Sequence, residues 1–106
     1  MKYLQALLFL IFLIPTAQLQ AKDLIVFGAS WCGPCVQLKN FIKNNPKLVS
    51  EYDIQLLDID KHTEMKKKLD IKSVPTSIIF DDDGNAVSKM IGYDSASYLQ
   101  WLKKYE

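Results

Sequence analysis

The sequence predicts an α/β domain: a four-stranded mixed sheet flanked by helices on both faces. Three observations lead there. Apolar runs of strand length alternate with stretches whose apolar residues recur every three to four positions. The first two strand-like runs are separated by a helical stretch, which suits a parallel βαβ unit. The last two are separated only by a tight turn, which makes an antiparallel hairpin. The chain has 106 residues, the size of one domain.

The opening, "MKYLQALLFLIFLIPTAQLQA", stands outside that pattern. Lys2 supplies a short positive start, Leu4 to Ile14 is apolar apart from Gln5, Pro15 breaks the run, and a more polar stretch ends at Ala21. This is the order of a secretory signal peptide, with an apolar core too short for an ordinary membrane-spanning helix. Leu19-Gln20-Ala21 is an imperfect cleavage site, Ala17 is a second candidate, and an uncleaved anchor is the alternative. The expected organisation is a signal peptide over residues 1–21 and one domain over 22–106. The expected location is the bacterial periplasm, with secretion or an outward-facing membrane anchor as alternatives.

Within the domain, Asp23 to Ala29 ("DLIVFGA") suits a buried strand. From Pro34 to Asn45 the spacing turns helical, with Cys35, Leu38, Phe41 and Ile42 on one face. Pro34 in the first turn and Pro46 past the end mark its start and stop. Ile54 to Asp60 reads as the next strand, apolar on both faces in its middle, and a short helix over Thr63 to Leu69 follows with Met65 and Leu69 one turn apart. Thr76–Phe80 and Ala86–Ile91 form the hairpin around Asp83-Gly84-Asn85. Asp94 or Ser95 caps a last helix whose core face carries Tyr98, Trp101, Leu102 and Tyr105.

The 13 basic residues, all lysine, are matched by 12 acidic ones, so no basic excess favours nucleic acid or a membrane surface. Both cysteines fall in "ASWCGPCVQ", at the junction of the first strand and first helix. A thiol there meets the free backbone N–H groups and the positive end of the helix dipole, which favour its thiolate. Cys32 is therefore the expected nucleophile. Cys35, one turn further in and on the apolar face, is the expected less accessible partner that resolves the mixed disulfide. A purely structural bridge is the bland alternative, but one this short closes almost no loop. A zinc site wants four ligands, and beyond the cysteines the chain offers only His62. His62 and Lys66-Lys67-Lys68 read as solvated residues, and Asp81-Asp82-Asp83 as an acidic turn with too few oxygens for a calcium loop.

The motifs resemble those of the thioredoxin family. Trp31-Cys32-Gly33-Pro34-Cys35 equals the family's active-site pentapeptide, Val74-Pro75-Thr76 is similar to its second signature, and Ile91-Gly92 to the pair bordering its substrate groove. The likeness runs from about Asp23 to the C-terminus. The resemblance implies a cis Pro75 facing the cysteines and a Val74 backbone that pairs with an extended substrate, a form of strand addition. It also implies that Trp31, Gly33, Pro34 and Gly92 complete the docking surface. The proline is expected to keep metal ions from bridging the thiols.

Three departures stand out. Cytosolic members of the family begin with an extra strand and helix, whereas only residues 22–23 would precede the first strand after cleavage, which implies a trimmed sheet. Their buried aspartate aligns with Val26, and its lysine partner with Leu56. The expected function is a thiol–disulfide oxidoreductase that reduces protein disulfides outside the cytoplasm. It needs no cofactor, acts as a monomer, and is recharged by a membrane or soluble redox partner. A disulfide oxidase or isomerase with the same site, and a redox-inert peptide-binding module, are the alternatives.

Overall fold

The computed structural model describes residues 22–106, and the expected signal segment lies outside them. The elements run β1 (Lys22–Gly28), α1 (Gly33–Asn44), α2 (Pro46–Val49), β2 (Tyr52–Asp58), α3 (Thr63–Lys68), β3 (Thr76–Phe80), β4 (Ala86–Ile91) and α4 (Ser95–Lys104). The strands form one sheet in the order β2-β1-β3-β4. β1 pairs parallel with β2 and antiparallel with β3, and β4 pairs antiparallel with β3. The chain has the four-stranded mixed sheet that its pattern predicts.

Alternation along the strands sorts the core onto two faces. Leu24, Val26, Tyr52 and Ile79 pack on one face with Leu38 of α1 and with Tyr98, Trp101 and Leu102 of α4. Phe27, Ile59, Ile71 and Ile78 cluster on the other, where Leu69, the residue ending α3, joins them. Helices thus cover both faces, but unequally. α3 buries none of its own residues, and Met65, expected on its apolar face, is 37% exposed.

Local chemistry explains the boundaries. Pro46 ends α1 as expected, and then does what the sequence reading missed by starting α2 as its first residue. Asn45 joins the two helices, its side-chain amide donating to the Phe41 carbonyl at 2.8 Å. β2 starts and stops two residues before its expected span, because Asp58 to Lys61 turn away from the sheet. It is an edge strand among the described residues, so Leu56 is 46% exposed where burial on both faces was expected. The Asp81 carboxylate accepts from the backbone N–H of Asp83 and of Asn85, and Gly84 supplies the positive φ of the hairpin turn. Of the two candidate caps of α4, Asp94 performs the role, accepting from the Ser97 N–H at 3.1 Å. Hydrogen bonding from the Ser97 backbone and hydroxyl holds the Asp94 carboxyl below its ordinary range.

Two buried phenols bind the sheet to α4. The Tyr98 hydroxyl donates to Ser77 Oγ at 2.8 Å, and the Tyr52 hydroxyl donates to the Leu102 carbonyl. Burial pushes Tyr98 up to about 12. Tyr52 is likewise pushed up to about 12 by burial first, then by the charges of Glu106 and Glu51.

Candidate active site

The redox pair sits where β1 hands the chain to α1. The chain leaves the sheet at Gly28, turns with the Cys32 N–H donating to the Ala29 carbonyl, and enters the helix at Gly33. Cys32 is the N-cap of α1, and its sulfur accepts from the Cys35 backbone N–H at 3.2 Å. A sulfur in that position holds one of the helix's orphan donors, which stabilises it most when it is a thiolate. Gly33 and Pro34 form the exposed first turn between the cysteines. Cys32 and Cys35 are joined as a disulfide.

Exposure corrects one expectation. Cys32 is only 6% exposed, enclosed with Phe27, Ala29 and Ile78, whereas Cys35 is half-buried. Cys35 is therefore the more open of the two in this oxidised state. The reason lies below it: Cys35 lines an open cavity of about 250 Å³ between α1 and the β1–β2 edge. Val26 and Leu56, neighbours in register, form its apolar wall. The position that would carry a buried charge by the resemblance is thus an apolar surface beside the second cysteine.

The remaining site residues converge on the same end of the sheet. The Val74–Pro75 bond is cis, and the Val74 carbonyl oxygen lies 3.7 Å from Cys32 Sγ. Pro75 is buried, and its carbonyl accepts from the Gly92 N–H at 2.7 Å, which sets Ile91-Gly92 beside it. Gly92 has a φ of +85°, a conformation that favours glycine. Trp31, next to Cys32 in the chain, and Ile91, paired with Thr76 at the end of β4, are large apolar side chains 68% and 66% exposed. All eight residues singled out in the sequence thus stand in or beside one site.

Sequence reasoning missed Asp60, which accepts from Trp31 Nε1 at 3.1 Å and so fixes the indole. Asp60 is in turn oriented by its own N–H, which donates to Asp58 Oδ1 at 2.9 Å. The signal was the acidic spacing "DID" at the end of β2, read only as strand. His62 precedes α3 without capping it through its side chain. Among the described residues, no three His, Cys, Asp or Glu side chains group closely enough to hold a metal ion.

Comparison with known proteins agrees with this geometry. The sequence profile of a thioredoxin-like domain family matches residues 14–106. The chain is 35% identical over 81 residues to a thioredoxin of Staphylococcus saprophyticus, covering 73% of this chain and 74% of that one. It is 32% identical over 76 residues to a thioredoxin of Chlamydia pneumoniae, covering 72% and 74%. Among solved structures, the oxidised thioredoxin from Plasmodium falciparum superimposes with a TM-score of 0.72 at 27% identity, over 81% of this chain and 82% of that one.

Proposed function

The chain belongs to the thioredoxin family and is a thiol–disulfide oxidoreductase, and from that premise we propose that it reduces protein disulfides outside the cytoplasm. The observation that carries this reading is the Cys32–Cys35 disulfide at the start of α1, with the exposed Trp31 next to Cys32 in the chain and the cis Val74–Pro75 segment against its sulfur. Such a surface suits a polypeptide substrate, and the Val74 backbone beside the disulfide suits an extended one.

In the forward direction the reduced protein presents Cys32 as thiolate, held by the Cys35 N–H. It attacks one sulfur of the substrate disulfide, forming a mixed disulfide and expelling the other substrate sulfur as thiolate. Cys35 then gives up its proton and attacks Cys32 Sγ. The Cys32–Cys35 bond forms, and the second substrate thiolate leaves. The substrate gains two electrons and the protein loses two, which a membrane or soluble dithiol donor must restore. The Gly33-Pro34 pair, shared with reducing members of the family by resemblance, supports this direction. The apolar run from Leu4 to Ile14 supports export, and the periplasm is the compartment proposed. The protein acts as a monomer.

The test is the reduction potential, measured by equilibrating the protein against a series of glutathione redox buffers. A value near about −270 mV is the expected result for a reductase. A value near about −120 mV would make it an oxidant and overturn the direction. No reversible titration would replace the reading with a peptide-binding role.

A further inference from the structure

Cys35 cannot act as a thiol. It must shed a proton before it can attack the mixed disulfide, because only the thiolate is nucleophilic. Its surroundings therefore have to contain somewhere for that proton to go.

The sheet beneath Cys35 narrows the choice. A Cβ built on Gly28 would lie 3.4 Å from both Cβ and Sγ of Cys35, so that face of β1 looks directly at the second cysteine. Gly28 pairs in parallel register with Asp58, as Val26 does with Leu56. Partners in a parallel ladder carry their side chains on the same face. Asp58 therefore points to the side of the sheet on which Cys35 sits, and it lines the same cavity. It is half-buried, and among the residues lining that cavity it is the one carboxylate.

We propose that Asp58 is the proton acceptor for Cys35, acting through water in the cavity between α1 and the β1–β2 edge. The cavity, at about 250 Å³, has room for several water molecules. Cys35, Asp58 and Lys39 supply the polar contacts that such water needs within otherwise apolar walls. The groups facing Asp58 are few. Lys39 of α1 contributes one positive charge across the cavity, β1 contributes none, and the Asp60 carboxylate is turned to Trp31. The Asp60 N–H fixes Asp58 Oδ1, leaving the second oxygen to receive the proton.

The step balances without another reactant. The Cys35 Sγ–H proton passes through water to the Asp58 carboxylate, and Cys35 Sγ forms its bond to Cys32 Sγ. The Cys32–substrate S–S bond breaks, its electron pair leaves with the substrate thiolate, and Asp58 returns the proton to solvent. This deepens the oxidoreductase reading above and rests on it.

Asp58→Asn is the decisive variant, because its amide oxygen can still accept the Asp60 N–H while the side chain no longer takes a proton. The purified, reduced protein is mixed with 5,5′-dithiobis(2-nitrobenzoate), whose coloured thiolate is released twice. The first release reports attack by Cys32, and the second reports attack by Cys35. In Asp58→Asn the first phase is expected to be unchanged. The second should slow about tenfold near pH 7, a modest share of what general bases contribute. The difference should close above about pH 9, where an ordinary thiol ionises unaided. Asp58→Glu should restore much of the rate. A second phase equal to that of the parent at every pH would overturn the proposal, as would one slowed equally at every pH, which a purely structural role would give. Loss of the first phase in the unsubstituted protein would remove the oxidoreductase reading, and this proposal with it.

Discussion

Val26→Asp puts a carboxyl group where the family resemblance expects one, and its effect can be worked out from the surroundings. Val26 is 5% exposed, packed among Leu24, Leu38 and Ile79, with Leu56 beside it in register. No positive partner occupies the Leu56 position, and of the two charged groups on the adjoining cavity Lys39 and Asp58 act in opposite directions, so burial sets the direction for the new carboxyl. Fully buried carboxyls rise by about 3–5 pH units. The adjoining cavity admits solvent, so about 2 units is a reasonable rise here. At about 1.4 kcal/mol per unit this costs roughly 3 kcal/mol at neutral pH. A further 1–2 kcal/mol or so is lost with the buried isopropyl group. The sign follows from linkage. A carboxyl whose pKa is raised on folding is protonated in both states below about pH 4, so the charge-dependent loss is absent there. It grows as pH rises to about 6 and is constant beyond. Urea midpoints between about pH 4 and pH 8 measure this directly. The same variant should speed the second thiolate release near pH 7 by about tenfold, because it adds a base to the wall of the Cys35 cavity. A stability loss independent of pH would refute the apolar account of the Val26 position. An unchanged release rate would refute the idea that proton removal from Cys35 limits resolution.

Three further outcomes are expected. Tyr98→Phe should cost about 1–3 kcal/mol in urea unfolding, since it leaves the buried Ser77 hydroxyl without its 2.8 Å partner; adding Ser77→Ala should recover part of the loss. The parent should lose stability between about pH 10 and pH 12, where unfolded phenols ionise but the buried Tyr98 and Tyr52, each pushed up to about 12, resist, and Tyr98→Phe should remove the Tyr98 share of that alkaline limb. Cys35→Ser should accumulate a stable mixed disulfide with a protein substrate, visible as an adduct in the intact mass, whereas Cys32→Ser should form none; the reverse pattern would exchange the roles assigned to the two sulfurs.

Much of this protein can be read from its sequence because the strongest signals are local. The helix start at Gly33-Pro34, the Asp83-Gly84-Asn85 turn and the Asp94 cap are each fixed by a few neighbouring residues, and the structure places all three as expected. The cysteine pair was legible for the same reason. What failed depends on what lies across the fold. Leu56 is apolar, but whether it is buried depends on which strand flanks β2, and periodicity within one strand carries no such information. Cys35 was expected to be the closed sulfur because of its helical face, and the cavity that opens it is formed by β1 and β2 as well. Asp58 and Asp60 both read as strand residues in the sequence; Asp58 does end β2 and lines the Cys35 cavity because of its parallel register with Gly28, whereas Asp60 reaches Trp31 because the chain turns out of the sheet after Asp58.

The two tryptophans give the molecule a pair of optical reporters with different reach. Trp31 lies mostly in water, adjacent in sequence to the disulfide, and its indole N–H is held by Asp60. Trp101 is 8% exposed, 5.4 Å from the Tyr98 ring, with its N–H on Ser88. An indole in water emits at longer wavelength than one in an apolar core, and a neighbouring disulfide quenches indole emission by accepting an electron. The long-wavelength part of the spectrum should therefore brighten when Cys32 and Cys35 are reduced, while the short-wavelength part holds steady until the core opens. Redox state and unfolding could then be followed in one cuvette with no label attached.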